Sequence, residues 1–248
     1  MSLQRVGSLG FYLVERSDTN ASAATAPFTK FDLQRYLTAL FLYAENIMTI
    51  EFSTTVLLIL FSAYLLGSVS SAVLICHLLG LNDPRTFGSN NPGATNVWRT
   101  GSLQAGIITL IADLLKGILP VWAALLLSLE LSIAALCGLC AMLGHLYPLY
   151  FQFKGGKGVA TFLGVCLALQ PLLALCQIGI WLLVAGLSRL SSLASLTTAA
   201  ATPLLCWWLA PVYLPLSVLP ILSLMAALLI LRHQSNIIKL LQNQESRF

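Results

Sequence analysis

The chain has 248 residues, 58% of them hydrophobic and only 9% charged, with a formal net charge of +4 and a mean hydropathy of +0.86. A soluble domain carries about 25% charged residues, so this chain cannot cover a water-facing surface. A soluble enzyme, a disordered chain and a nucleic-acid binder are excluded, and the chain reads as an all-α polytopic membrane protein.

The texture breaks near Met48. Residues 1–47 hold four basic and four acidic residues, a net of zero, and residues 48–248 hold nine basic and five acidic. Two units are therefore expected, an N-terminal extension over 1–47 and an integral membrane domain over 48–248. The extension reads either as a disordered tail from too early a start or as a short interfacial helix around Phe31–Tyr43. It shows no signal-peptide pattern and is expected to be dispensable.

About 20 apolar residues cross the roughly 30 Å of hydrocarbon in a bilayer. Spans are predicted over 55–80, 103–127 and 132–152. Gln170-Pro171 interrupts the next apolar stretch, because proline breaks a helix ladder; this predicts two short arms, 159–169 and 171–187. Segments 193–210 and 212–231 follow, separated at Ala210-Pro211. The total is about seven segments, two of them short.

Lys and Arg stay on the cytoplasmic side. With the N-terminus outside and the C-terminus cytoplasmic, Arg85, Arg99, Lys154, Lys157, Arg189, Arg232, Lys239 and Arg247 all fall inside. Lys116 lies within a span, and Glu51 and Glu130 stay at the outer ends. A single straight helix over 159–187 would separate Arg189 from the Arg232 cluster, so the charges favour a hairpin.

Polar residues gather in three places, all on the cytoplasmic side. The first is Asp83–Arg99, dense in Gly, Asn and hydroxyls and flanked by arginines. Successive backbone N–H groups in such a turn make an anion nest, and Arg matches phosphate oxygens. The second is Phe153–Thr161, with two lysines, three glycines and a following helix. It reads either as an anion cradle at a helix N-terminus or as a basic turn that holds orientation; the Walker A spacing is absent. The third is Arg232–Lys239, where His233 and Asn236 share a helix face. It reads either as a site element or as an interfacial exit helix. Asp113 and Lys116, three apart within a span, are expected to form a structural ion pair. His145, His77 and Glu130 are read as structural. The six cysteines lie in apolar stretches and behave as small hydrophobes, so neither a metal nor a disulfide is expected.

Several of these motifs in order resemble one family. They are Gly67-Ser68, Gly88-Ser89-Asn90-Asn91-Pro92-Gly93-Ala94-Thr95-Asn96, Gly144-His145, Lys154-Gly155-Gly156-Lys157-Gly158-Val159-Ala160-Thr161, Ser192-Leu193-Ala194-Ser195 and Arg232-His233-x2-Asn236. Together they resemble the bacterial acyl-phosphate:glycerol-3-phosphate acyltransferases, from about Met48 to Phe248. Two positions depart from the usual pattern. Gly67-Ser68-Val69-Ser70 lacks the family's proline, and Asn90 replaces a glycine. The Asn90 position is expected to need positive φ, which Asn tolerates.

The resemblance implies a seven-helix enzyme of the bacterial inner membrane with its site facing the cytoplasm. The implied reaction moves a fatty acyl group from acyl phosphate to the 1-hydroxyl of glycerol 3-phosphate, giving lysophosphatidic acid and phosphate. It implies Ser89, Arg99, Lys157, His233 and Asn236 at the glycerol 3-phosphate, with Ser89 and His233 in catalytic roles. Lys154, Gly155, Gly156, Lys157, Gly158 and Asn96 would hold the acyl phosphate. No metal or other cofactor is expected, and no nucleic acid. The expected partners are the two substrates, the lipid bilayer and an upstream acyl-phosphate-forming enzyme, with the chain itself a monomer. The His-x4-Asp pair of acyl-CoA-type acyltransferases is absent. A transporter of small organic anions is the alternative reading of the same basic loops.

Overall fold

The computed structural model describes residues 54–99 and 102–247. The extension expected over 1–47, with its helix around Phe31–Tyr43, lies outside the described residues.

The described chain is helix and loop, with no strand among the described residues. The helices are α1 Thr54–Gly67, α2 Ser71–Leu78, α3 Ala94–Trp98, α4 Leu103–Leu126, α5 Leu131–Leu146, α6 Val159–Leu169, α7 Pro171–Ser188, α8 Ser191–Tyr213, α9 Leu219–Arg232 and α10 Gln234–Leu241. Helices α4, α7 and α8 are long and apolar enough to cross a membrane, as is α5 together with the turn after it, Leu131–Phe151, and the pairs α1–α2 and α9–α10 qualify when each bent pair is taken as one span.

Three local features depart from the expected segments or refine them. The stretch 55–80 is not one rod, because α1 and α2 meet at a 43° bend. Ser68 Oγ donates to Tyr64 O at 2.8 Å, and Lys116 Nζ takes the Val69 carbonyl at 3.1 Å. The Ser68 hydroxyl shares Tyr64 O with its own N–H, and Lys116 takes up the Val69 carbonyl at the break. The break expected at Ala210-Pro211 is instead passed, and α8 runs on to Tyr213. The stop comes from Pro215, which disfavours helical geometry in the residue before it; Leu214 is extended at φ −134°, ψ 129°. The Gln170-Pro171 break is present, with Gln170 extended at φ −154° and its side chain accepting from Leu172 N at 3.3 Å. Helix α6 has 11 residues. At 1.5 Å per residue it spans only about 16 Å, too short to cross alone.

Helices pack where small residues let backbones approach. A side chain on Gly67 would strike the Ala141 carbonyl, and one on Gly144 the Tyr64 carbonyl, which locks α1 to α5. Gly117 against Thr161 and Gly164 against Leu114 lock α4 to α6 in the same way. The core between these helices is filled by Val121, Met142, Leu146, Val165, Leu222 and Met225, all fully buried. One buried polar link, Gln177 Nε2 to Thr202 Oγ1 at 2.9 Å, ties α7 to α8. These contacts hold α4, α5, α6 and α9 rigidly, and the three polar clusters extend from their ends.

Candidate active site

A cleft of about 540 Å³ brings the three clusters together. Ser89, Asn96 and Arg99 reach it from the first, Lys157 and Gly158 from the second, and His233 and Asn236 from the third.

The first cluster is organised by one buried amide. Asn96, on α3, accepts from Ser89 N at 2.8 Å through Oδ1. Its Nδ2 donates to Pro84 O at 2.7 Å and Phe87 O at 2.9 Å. Asn96 therefore lies at the cleft with its amide engaged by the loop. The fold it imposes needs positive φ at Gly88 (59°) and at Asn90 (56°), which agrees with the expectation for Asn90. Arg85 forks onto Asp83, with its closest contact at 2.7 Å. The hydrogen bonds from Arg85 hold the Asp83 carboxyl below its ordinary range. Arg99 caps the C-terminus of α3 and lines the cleft; one guanidinium nitrogen approaches Ser246 O at 3.4 Å.

The second cluster divides in two. Lys154 is exposed, and Lys154, Gly155 and Gly156 do not line the cleft. Gly156 N is already donated to His145 O at 3.1 Å, and both glycines are seated against His145. Arg232 holds them from the other side, with Nη2 donating to Gly155 O at 3.0 Å and Nε to Gly156 O at 3.3 Å, while its guanidinium lies 5.2 Å from the Tyr147 ring centre. Lys157 and Gly158 remain at the cleft. Gly158, at φ 85°, starts α6.

Lys157 Nζ donates a short hydrogen bond to Asn236 Oδ1. Burial pushes its ammonium down to about 8, opposed by Glu245 and reinforced by Lys239, Arg99 and Arg232. Asn236 Nδ2 donates in turn to Glu245 Oε1 at 2.7 Å. His233 sits at the 57° bend between α9 and α10, 2% exposed. Its Nδ1 pairs with Leu229 O at 2.8 Å. A carbonyl only accepts, so Nδ1 carries the proton and Nε2 is left as the acceptor. Burial first, then the Lys157 and Arg232 charges, lower His233 to about 4, so the ring is neutral at neutral pH.

Glu245 was not singled out in the sequence. It lines the cleft beside Asn236, and only the return of the C-terminal tail places it there. Asp113 and His145 also line the cleft. The ion pair expected between Asp113 and Lys116 is present at 2.7 Å.

Beyond these polar groups the cleft becomes an apolar trough between α4, α6, α7 and α8, lined by Leu103, Ile107, Leu110, Leu163, Ile178 and Leu182.

The family described as Glycerol-3-phosphate acyltransferase matches residues 57–243. A glycerol-3-phosphate acyltransferase of Idiomarina loihiensis is 49% identical over 193 residues, covering 77% of this chain and 95% of that protein. One of Thioalkalivibrio sulfidiphilus is 51% identical over 187 residues, covering 75% and 90%. Two crystal structures of PlsY, an integral membrane glycerol 3-phosphate acyltransferase, superpose on the fold. Its glycerol 3-phosphate form gives a TM-score of 0.73 at 40% identity, covering 78% of this chain and 96% of that one. Its lysophosphatidic acid form gives 0.72 at 39%. The all-helical membrane bundle, the motifs in their order and these likenesses agree: the chain belongs to the glycerol-3-phosphate acyltransferase family.

Proposed function

We propose that this protein transfers a fatty acyl group from acyl phosphate to the 1-hydroxyl of glycerol 3-phosphate, giving lysophosphatidic acid and inorganic phosphate. The observation that carries the reading is one continuous cleft with a cationic polar end and an apolar trough. An acyl donor and a small phosphorylated alcohol need that combination.

Arg99 and Lys157 hold the phosphate of glycerol 3-phosphate by charge and hydrogen bonding. Asn236, tied to Lys157, orients the same group. Ser89 and the Nε2 acceptor of His233 fix the hydroxyls. The 1-hydroxyl oxygen attacks the acyl carbonyl carbon, and the bond from that carbon to the phosphate oxygen breaks. The phosphate leaves as a good leaving group, so orientation and charge neutralisation account for much of the rate. The proton goes to an oxygen of the departing phosphate, since His233 is weakly basic at about 4 and Asp83 is held ionised by Arg85.

The positive-inside pattern supports an inner-membrane protein with the cleft at the cytoplasmic face. There the soluble substrate and an upstream acyl-phosphate-forming enzyme have access. The reading takes the chain as a monomer.

The test is formation of lysophosphatidic acid by purified protein in detergent, with acyl phosphate and soluble glycerol 3-phosphate. Turnover is expected with no sealed vesicle. Absence of turnover in detergent, with substrate uptake after reconstitution into vesicles, would instead identify a transporter.

A further inference from the structure

Three ionisable side chains sit inside the helix bundle, where such groups are costly and rare. They are Asp113 and Lys116 on α4 and His145 at the end of α5, and all three are buried. Lys116 Nζ meets Asp113 Oδ1 at 2.7 Å, and His145 Nδ1 faces the same oxygen at 3.6 Å. Packed apolar residues often replace a buried ion pair at no cost in stability, so stability alone gives no reason for three such groups.

What lies on the far edge of the imidazole gives one. A side chain on Gly156 would run into His145 Nε2, and one on Gly155 into the His145 carbonyl. That carbonyl accepts Gly156 N at 3.1 Å. The two glycines are thus seated on His145, and the next residue is Lys157.

We infer that Asp113, Lys116 and His145 together are positioning residues for Lys157. Asp113, held by Lys116, sets the orientation of the imidazole. The imidazole sets the position of Gly156. Gly156 sets where the Lys157 ammonium enters the cleft. The triad makes and breaks no bond. Its effect on the reaction rests on reading Lys157 as a ligand of the substrate phosphate.

The test compares His145→Leu, which keeps bulk but loses the link to Asp113, with His145→Gln, which keeps an amide to face it. Both are made in the full chain, purified in detergent and checked for folding by thermal unfolding. One readout is steady-state kinetics with glycerol 3-phosphate. The other is the pH midpoint for modification of Lys157 by an amine-reactive reagent, followed on the Lys157 peptide. Glu245, Lys239, Arg99 and Arg232, the charges around Lys157, are untouched.

His145→Leu should raise KM about tenfold, the lower end of one charged hydrogen bond. Its kcat should stay within about threefold of wild type. The Lys157 midpoint should rise by roughly one pH unit as the ammonium moves toward water. His145→Gln should bring both back toward wild type. The double variant Asp113→Asn, Lys116→Met removes the pair without stranding either charge, and should shift both readouts as His145→Leu does. Wild-type KM and midpoint in folded His145→Leu or in the double variant would overturn the inference. So would His145→Gln as impaired as His145→Leu. The labelling readout does not need turnover. A midpoint that depends on His145 in a protein without acyl-phosphate activity would sink the proposed reaction and leave the positioning intact.

Discussion

Two glycine-rich basic loops meet at the cleft, and they are held in opposite ways. The loop from Asp83 to Arg99 organises itself. Arg85 pairs with Asp83 two residues away, and the Asn96 amide reaches partners seven to twelve residues back. The loop from Phe153 to Gly158 is clamped from outside, by His145 on α5 and by Arg232 some 77 residues further along. Both loops look alike as glycine-bearing basic runs, with Arg in the first and Lys in the second. The difference teaches that damage to the first should come from its own residues, whereas the second should fail through residues remote in sequence.

The largest expected effect is at the second loop. Gly156→Ala puts a methyl group into the His145 ring, and the backbone carrying Lys157 must move. Displacement of a reacting group by about 1 Å can cost on the order of a hundredfold, and a loss of that size in kcat/KM is expected. Wild-type kinetics for Gly156→Ala would remove the clamp from the account.

The first loop carries one cation at the cleft and one bound within itself. Arg99→Ala should raise KM for glycerol 3-phosphate by roughly ten- to a hundredfold, far more than KM for acyl phosphate. Arg85→Ala, whose partner is Asp83, should change it by no more than about threefold. Equal effects from the two arginines would erase the distinction between them.

Asn96→Ala removes the side-chain partner of Ser89 N and of Pro84 O, while Phe87 O keeps Asn90 N. Each buried group left unpaired costs about 1–3 kcal/mol. The midpoint of thermal unfolding in detergent should fall, and kcat/KM should drop with it by about tenfold. A change in activity at an unchanged midpoint would point to direct substrate contact by Asn96 instead.

Smaller effects are expected at the third cluster. His233→Gln keeps a hydrogen-bonding group and should retain turnover to within about tenfold, below the 10²–10⁴-fold typical of a general base. A larger loss, with disappearance of a pH limb, would make His233 the base.

On the proposed reading, Lys157 binds the substrate phosphate as the protonated form. With its ammonium lowered to about 8, kcat/KM for glycerol 3-phosphate should fall as pH rises through that value. Glu245 raises the Lys157 value, so Glu245→Gln should lower it and move the limb to lower pH, by roughly a few tenths of a unit. An unmoved limb would assign it to another group.

Much of the bundle was legible from residue patterns. The apolar stretches correspond in position to the helices, and Gln170-Pro171 marked a real break because proline acts on its immediate neighbours. Where the pattern misled, the cause was a neighbour in space or a proline further on. The bend at Ser68–Ser70 is supported by Lys116 from α4. The end of α8 is set by Pro215 and not by Pro211.

By itself the sequence determined that this is a helical membrane protein and marked the three polar clusters that meet at the cleft, because composition, apolar run length and local motifs are properties of neighbouring residues. Tertiary structure alone decided which members of each cluster face the cleft. Lys154 and Lys157 are three residues apart in one basic run, yet one is exposed and the other donates to Asn236. Arg232 and Arg99 are both basic residues within the motifs, yet one braces backbone carbonyls and the other lines the cleft. Glu245 enters only because the tail after α10 folds back to Asn236. In each case the choice depends on contacts between segments tens of residues apart, where the geometry of packed helices sets which donor reaches which acceptor.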